Sequence, residues 1–175
     1  YETILRLANH PNILAVKDAK GDFSEVSRVL NQTDLMYFSG DDSNALPPLS
    51  IGATGLIGVT ANIAAQPYRV IVDAVNRGDL ATATAAHRPL EPPVRAVMTH
   101  VPGTVSAKYI LHGLGRIGSP RVRLPLVGPE EWEAAKIEDE LALVQGVPGA
   151  DFSNFRPDRN AAAGGALPKV SGTTR

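Results

Sequence analysis

The sequence predicts an α/β protein: a small parallel sheet with helices on it, followed by a stretch of helices only. Three features lead there. Short apolar runs bounded by Gly, Asn or Asp recur at NILAVK (12–17), LMYFSG (35–40) and TGLIGV (54–59). Helical patterns fill the gaps between them, as in βαβ units. From Gln66 onward the pattern is helical only.

YETILRLANH opens the chain in a helical pattern, with Ile4, Leu5 and Leu7 apolar. No Met precedes Tyr1, as expected of a chain that begins partway through an element. Pro11 and Asn12 punctuate the start of the first strand; Ile13, Leu14, Ala15 and Val16 run uninterrupted into Lys17, and Gly21 and Asp22 close the segment. Such a run reads as a parallel strand buried on both faces. In FSEVSRVLNQ, Phe23, Val26, Val29 and Leu30 fall at helical spacing, and Asp22 is placed to cap that helix. After the second strand, Asp41 or Asp42 is expected to cap SNALPPLSIG, a short helix interrupted by Pro47 and Pro48. PYRVIVDAVNRGD predicts a helix ended by Gly78, and DLATATAAHRPLEPPVRAVMTH a helical stretch broken around Pro89, Pro92 and Pro93. VSAKYILHGLG predicts a helix with a glycine cap at Gly113 or Gly115. PEEWEAAKIEDELALVQG opens with Pro129 and acids that suit the helix dipole; Trp132, Ile137, Leu141 and Val144 form its expected buried stripe. From Val147 to Arg175 the chain turns to Gly, Ala, Pro and small polar residues without period, the composition of a disordered tail. Phe152 and Phe155 are the residues that could pin this tail to the body.

The 175 residues suffice for one domain with a sizeable core. With 17 Lys+Arg against 18 Asp+Glu, the net charge of −1 makes no electrostatic case for nucleic acid. The absence of cysteine excludes disulfides, thiolate metal sites and a cysteine nucleophile. No stretch reaches the apolar length of a membrane span and no signal peptide opens the chain, so a soluble, cytoplasmic protein is expected.

In parallel β/α proteins, ligands bind at the carboxyl ends of the strands. Lys17, Gly40 and Leu56–Ile57–Gly58 fall at or near such ends. Strand alternation puts Lys17 on one face with Ala15 and Ile13, and Leu14 and Val16 on the other. Two readings of Lys17 stay open from the residues alone. If its face lines a barrel interior, burial disfavours the ammonium and gives the neutral amine that attacks a carbonyl. Otherwise the side chain ends its strand and reaches into solvent. Gly52, Gly55 and Gly58 form a GxxGxxG pattern that enters a strand instead of leading from one into a helix, which argues against a dinucleotide loop. Helix capping is a simpler role for Asp41 and Asp42 than binding Mg²⁺. His10, His87, His100 and His112 lack metal-ligand spacing. Lys20 and Asp22 read as loop charges, and Arg121 with Arg123 is too small a group for a nucleic-acid patch.

VKDAKGD, then YFSGDD, then GATGLIGVTANIAAQ, in this order and spacing, resemble the dihydrodipicolinate synthase (4-hydroxy-tetrahydrodipicolinate synthase) family of pyruvate-dependent class I aldolases. The resemblance implies the C-terminal part of a (β/α)8 TIM barrel. Residues 1–65 would hold its last three strands, 66–146 a helical C-terminal extension and 147–175 the tail. It makes Lys17 the lysine that forms a Schiff base with pyruvate. Gly40 matches the glycine at the pocket floor, and Ile57 the residue whose backbone lies beside bound pyruvate. The implied reaction condenses pyruvate with L-aspartate 4-semialdehyde, on the route to diaminopimelate and lysine. It proceeds through a covalent imine on Lys17, without metal or diffusible cofactor, in a homo-oligomer that is usually a tetramer. Neither nucleic acid nor membrane is an implied partner.

The family's Thr-Thr pair, tyrosine proton relay, substrate-binding arginine and lysine-feedback site come from an N-terminal part whose motifs do not occur here. Tyr1, Tyr37, Tyr68 and Tyr109 lie in other contexts, and Thr173–Thr174 falls in the tail. Two alternatives remain. A sibling aldolase, such as N-acetylneuraminate lyase or a keto-deoxy-sugar-acid aldolase, shares the lysine chemistry, although the Asp-Ala after Lys17 leans toward the synthase. The other is a non-catalytic barrel fragment. An open three-stranded sheet is expected to leave inward apolar residues uncovered and to favour association.

Overall fold

The three apolar runs are strands, and they pair in chain order. A computed structural model describes residues 1–144, 147 and 149–158. Strand β1 (Ala15–Asp18) pairs in parallel with β2 (Met36–Ser39), which pairs in parallel with β3 (Gly55–Leu56). The register sets Lys17 beside Phe38, Asp18 beside Ser39, and Ser39 beside Leu56. Among the described residues the sheet does not close into a barrel.

The two faces differ. Tyr37 and Ser39 are buried on the face covered by helix α2 (Phe23–Gln32), whose Val26 and Val29 join the core. The opposite face carries Ala15, Lys17 and Met36, all exposed. Burial of β1 on both faces is therefore not observed: only the Val16 side packs on the core. Met36 at 44 % and Ile57 at 51 % exposure show the apolar character of the open side.

Local chemistry explains most boundaries. Helix α1 (Glu2–Ala8) buries none of its residues. Asp22 caps α2 by accepting from the Glu25 N–H at 3.0 Å. Helix α3 (Leu46–Ser50) starts at Ala45 with no side-chain cap, so neither Asp41 nor Asp42 caps it. Pro47 sits in its first turn, where a missing N–H costs nothing, so the proline pair opens the helix instead of interrupting it.

Helix α4 (Ala61–Asn76) starts well before Pro67. Pro67 has no N–H for the Ile63 carbonyl, and the helix kinks at Ala64 (φ −138°, ψ 47°) before running on to Arg77 and Gly78. Helix α5 (Leu80–His87) is followed by a 3-10 turn (Arg88–Leu90) and α6 (Glu91–Met98), the expected proline break. Helix α7 (Gly103–Gly113) ends at Leu114, with Gly115 at φ +67° supplying the glycine cap.

Two further expectations need correction. In α8 (Glu131–Ala142), Ala134, Ile137 and Leu141 are buried but Trp132 is 54 % exposed. At about 100° per residue, Trp132 lies roughly 140° around the helix from Ile137. There its indole N–H donates to Glu130 at 2.7 Å and its ring lies 4.8 Å from the Lys136 ammonium. The tail does not leave the body at Val147. Val147, Ala150 and Phe152 are buried, and the Phe155 ring meets Tyr109 edge-on at 5.8 Å. Gly113 makes the seat: a Cβ there would lie 2.7 Å from Phe155 Cδ2. The Arg156 N–H then donates to the Gly113 carbonyl at 2.8 Å. Residues 159–175, also expected to be disordered, lie outside the described residues.

Buried residues of α2, β2, α4, α6, α7 and α8 form one hydrophobic cluster. No helix among the described residues is long and apolar enough to cross a membrane.

Candidate active site

Parallel pairing brings the carboxyl ends of all three strands to one edge of the sheet, and the sequence-predicted residues gather there. Lys17 is exposed near the end of β1, on the open face. Gly40 directly follows β2, and its N–H donates to the Asp18 carbonyl at 2.8 Å. A Cβ on Gly40 would lie 2.5 Å from Lys17 Cε and 3.1 Å from Ala19 Cβ, so the lysine stem lies across the glycine. Ile57 follows β3; its N–H donates to the Ser39 carbonyl at 2.8 Å. Lys17 and Gly40 are in contact, and Ile57 is hydrogen-bonded to the residue before Gly40.

The neighbouring charges are turned away from Lys17. The Asp18 carboxylate, on the other face, accepts from the Tyr37 hydroxyl at 2.8 Å and the Lys20 N–H at 3.0 Å. Burial first, and then the bond to Asp18, push the Tyr37 phenol above the ordinary tyrosine range. Lys20 is no lone loop charge: it pairs with Glu25 and reaches Asp18 at 3.5 Å.

Residues 1–143 match the model of the Dihydrodipicolinate synthetase family. The chain belongs to that family. A 4-hydroxy-tetrahydrodipicolinate synthase of Kineococcus radiotolerans is 44 % identical over 142 residues, covering 81 % of this chain and 46 % of the relative. One of Acidothermus cellulolyticus is 44 % identical over 154 residues, covering 88 % of this chain and 47 % of the relative. Among solved structures, the chloride-inhibited dihydrodipicolinate synthase of Acinetobacter baumannii complexed with pyruvate superposes with a TM-score of 0.75 at 28 % identity. That match covers 82 % of this chain and 49 % of the other. The chain spans about half the length of the curated relatives it matches. Its fold is accordingly the C-terminal part of a (β/α)8 barrel, three parallel strands with their helices.

In this dihydrodipicolinate synthetase chain, Tyr37, Tyr68 and Tyr109 are buried, and Tyr37 faces away from Lys17 across the sheet. No group of three or more His, Asp or Glu that could hold a metal occurs among the described residues.

Sequence reasoning missed the role of Asp42. This residue is 1 % exposed; its carboxylate accepts from the Val59 N–H at 3.0 Å and the Thr60 N–H at 2.7 Å. Its carbonyl accepts from the Tyr68 hydroxyl at 3.3 Å. Burial, and then the charge of Asp42, raise the Tyr68 phenol above its ordinary range. The only sequence signal was Gly58, whose missing Cβ admits the carboxylate. Asp41 ties its own loop, accepting from the Ser43 N–H at 2.9 Å and the Asn44 side chain at 2.5 Å.

A cavity of about 370 Å³ adjoins Asp42 and Ser43, walled by His87, Arg88, Glu91 and Arg95. Burial lowers the basicity of His87. Arg95 is engaged by Glu140 at 2.6 Å and by Glu91 at 3.5 Å.

Proposed function

We propose that this chain carries the Schiff-base lysine portion of a 4-hydroxy-tetrahydrodipicolinate synthase, with Lys17 as the nucleophile. The observation that carries it is the position of Lys17: at the carboxyl end of a barrel strand, with its stem over Gly40, in a chain of this family. Lys17 Nζ, as the free amine, attacks the C2 ketone of pyruvate; loss of water gives an imine. Loss of a C3 proton converts the imine to an enamine, and that carbon attacks the aldehyde of L-aspartate 4-semialdehyde. The imine itself is the electron sink, so the mechanism invokes no metal or diffusible cofactor. Gly40 gives the lysine stem room, and the Ile57 main chain borders bound pyruvate. The pathway is diaminopimelate and lysine biosynthesis, in the cytoplasm, and the assembly is a homo-oligomer. The open apolar face at Met36 and Ile57 supports association.

Borohydride reduction in the presence of pyruvate tests the assignment. The expected result is a reduced pyruvate adduct on the peptide containing Lys17, absent from Lys17→Ala. Labelling that survives Lys17→Ala unchanged overturns it.

A further inference from the structure

We infer that Asp42 is a positioning residue for the pyruvate pocket: its buried carboxylate fixes the main chain of residues 58–60 and thereby holds Ile57 in place. The inference rests on the assignment of Lys17 and Ile57 proposed above.

Each carboxylate oxygen of Asp42 takes a different donor, Oδ2 the Val59 N–H at 3.0 Å and Oδ1 the Thr60 N–H at 2.7 Å. Charge-assisted bonds of this kind are short and directional, and a carboxylate is retained in an interior when it is so satisfied. The approach depends on Gly58, where a Cβ would lie 2.9 Å from Asp42 Cγ. From the other side, the Ile57 N–H is held by the Ser39 carbonyl at 2.8 Å. The segment from Ile57 to Thr60 is thus fixed at both ends, by Ser39 at the end of β2 and by Asp42 three residues later. Between those two anchors lies Gly40, the residue against which Lys17 rests. Ser39, Gly40 and Asp42 therefore relate the lysine to the main chain beside its substrate. A cap on α4 alone would need none of this: Asp42 grips a turn 17 and 18 residues away, which leads directly out of β3.

Asp42→Asn keeps the shape but turns an N–H₂ toward one of the two N–H donors, so one bond is lost. Two measurements on the full chain follow its effect: amide hydrogen exchange, and borohydride trapping at Lys17 as a function of pyruvate concentration. The expected result is exchange accelerated at Val59 and Thr60 while the β1–β2 amides keep their protection. The half-saturating pyruvate concentration should rise about tenfold, the scale of one charge-assisted bond, with the limiting trapping rate within about twofold of the native chain. Gly58→Ala, which crowds the same carboxylate from the opposite side, should give the same signature. Unchanged protection at Val59 and Thr60, or a trapping curve that superposes on the native one, overturns the inference. So does a parallel loss of strand protection and limiting rate, the mark of a merely structural role. Absence of label at Lys17 in the native chain overturns the functional reading instead, and the exchange data then decide by themselves whether Asp42 holds the turn.

Discussion

Replacing Gly40 with alanine separates the placement of Lys17 from the stability of the chain. Gly40 lies outside the left-handed region, so its backbone accepts alanine without strain. The new Cβ would lie 2.5 Å from Lys17 Cε, 3.1 Å from Ala19 Cβ and 3.3 Å from the Ala19 nitrogen. Carbon atoms rest at about 3.5–4.0 Å, so the lysine stem must retreat by roughly 1 Å and Ala19 by a few tenths. Lys17 is exposed and free to turn, which holds the cost in stability to about 1 kcal/mol, the low end for overpacking. A domain holding about 5 kcal/mol stays more than ~99 % folded after that loss. The imine chemistry proposed for Lys17 is less tolerant, because a displacement of about 1 Å in a reacting group can cost ~100-fold in rate. Gly40→Ala should therefore keep its circular dichroism spectrum and urea midpoint while its rate of pyruvate trapping at Lys17 falls about 100-fold. Trapping at the native rate would refute the reasoning, as would a loss of secondary structure that matched the loss of trapping.

Ile110 on α7 is 0 % exposed within the core, and Ile110→Ala should cost ~2–5 kcal/mol, read as a fall in the urea midpoint; a loss below about 1 kcal/mol would show that the surroundings collapse onto the cavity. Tyr37 gives a pH dependence. Its raised phenol favours the protonated form in the folded chain, so its contribution is fully present below the ordinary tyrosine value of about 10 and is lost as pH climbs above it. Tyr37→Phe should flatten part of the fall in unfolding free energy between about pH 9 and pH 11, and cost ~1–3 kcal/mol at neutral pH because Asp18 loses a donor. An alkaline limb of unchanged slope would contradict this.

What could be read from the sequence was local. The Asp22 cap, the stop at Gly78 and the glycine cap after α7 each depend on a few adjacent residues, and each is found where expected. Parallel pairing followed because the strands alternate with helices, as βαβ units require. Lys17, Gly40 and Ile57 were marked by a family pattern, yet nothing local says that the lysine stem lies on the glycine. Asp42 escaped because its partners belong to another turn, and a capping aspartate looks the same in sequence whichever helix or loop it serves. Trp132 was misplaced because α8 chooses its buried face by what it packs against. The sequence marks Phe155 as able to pin the tail but not where it docks, because its seat on Gly113 exists only once α7 has formed.

Helix α4 carries a lesson about where the molecule can be divided. The sequence changes character at residues 65 and 66, yet α4 spans both positions, bending at Ala64 and continuing through Ile71 and Ala74. Its buried side chains belong to the same cluster as Val29 and Tyr37 beneath the sheet and Ile110 and Ile137 among the later helices. Strands and helices thus share one hydrophobic cluster that crosses residues 65 and 66. A scission at 65/66 would not release a helical module. It would split the core along its middle and hand Ile63, Tyr68 and Ile71 to water together.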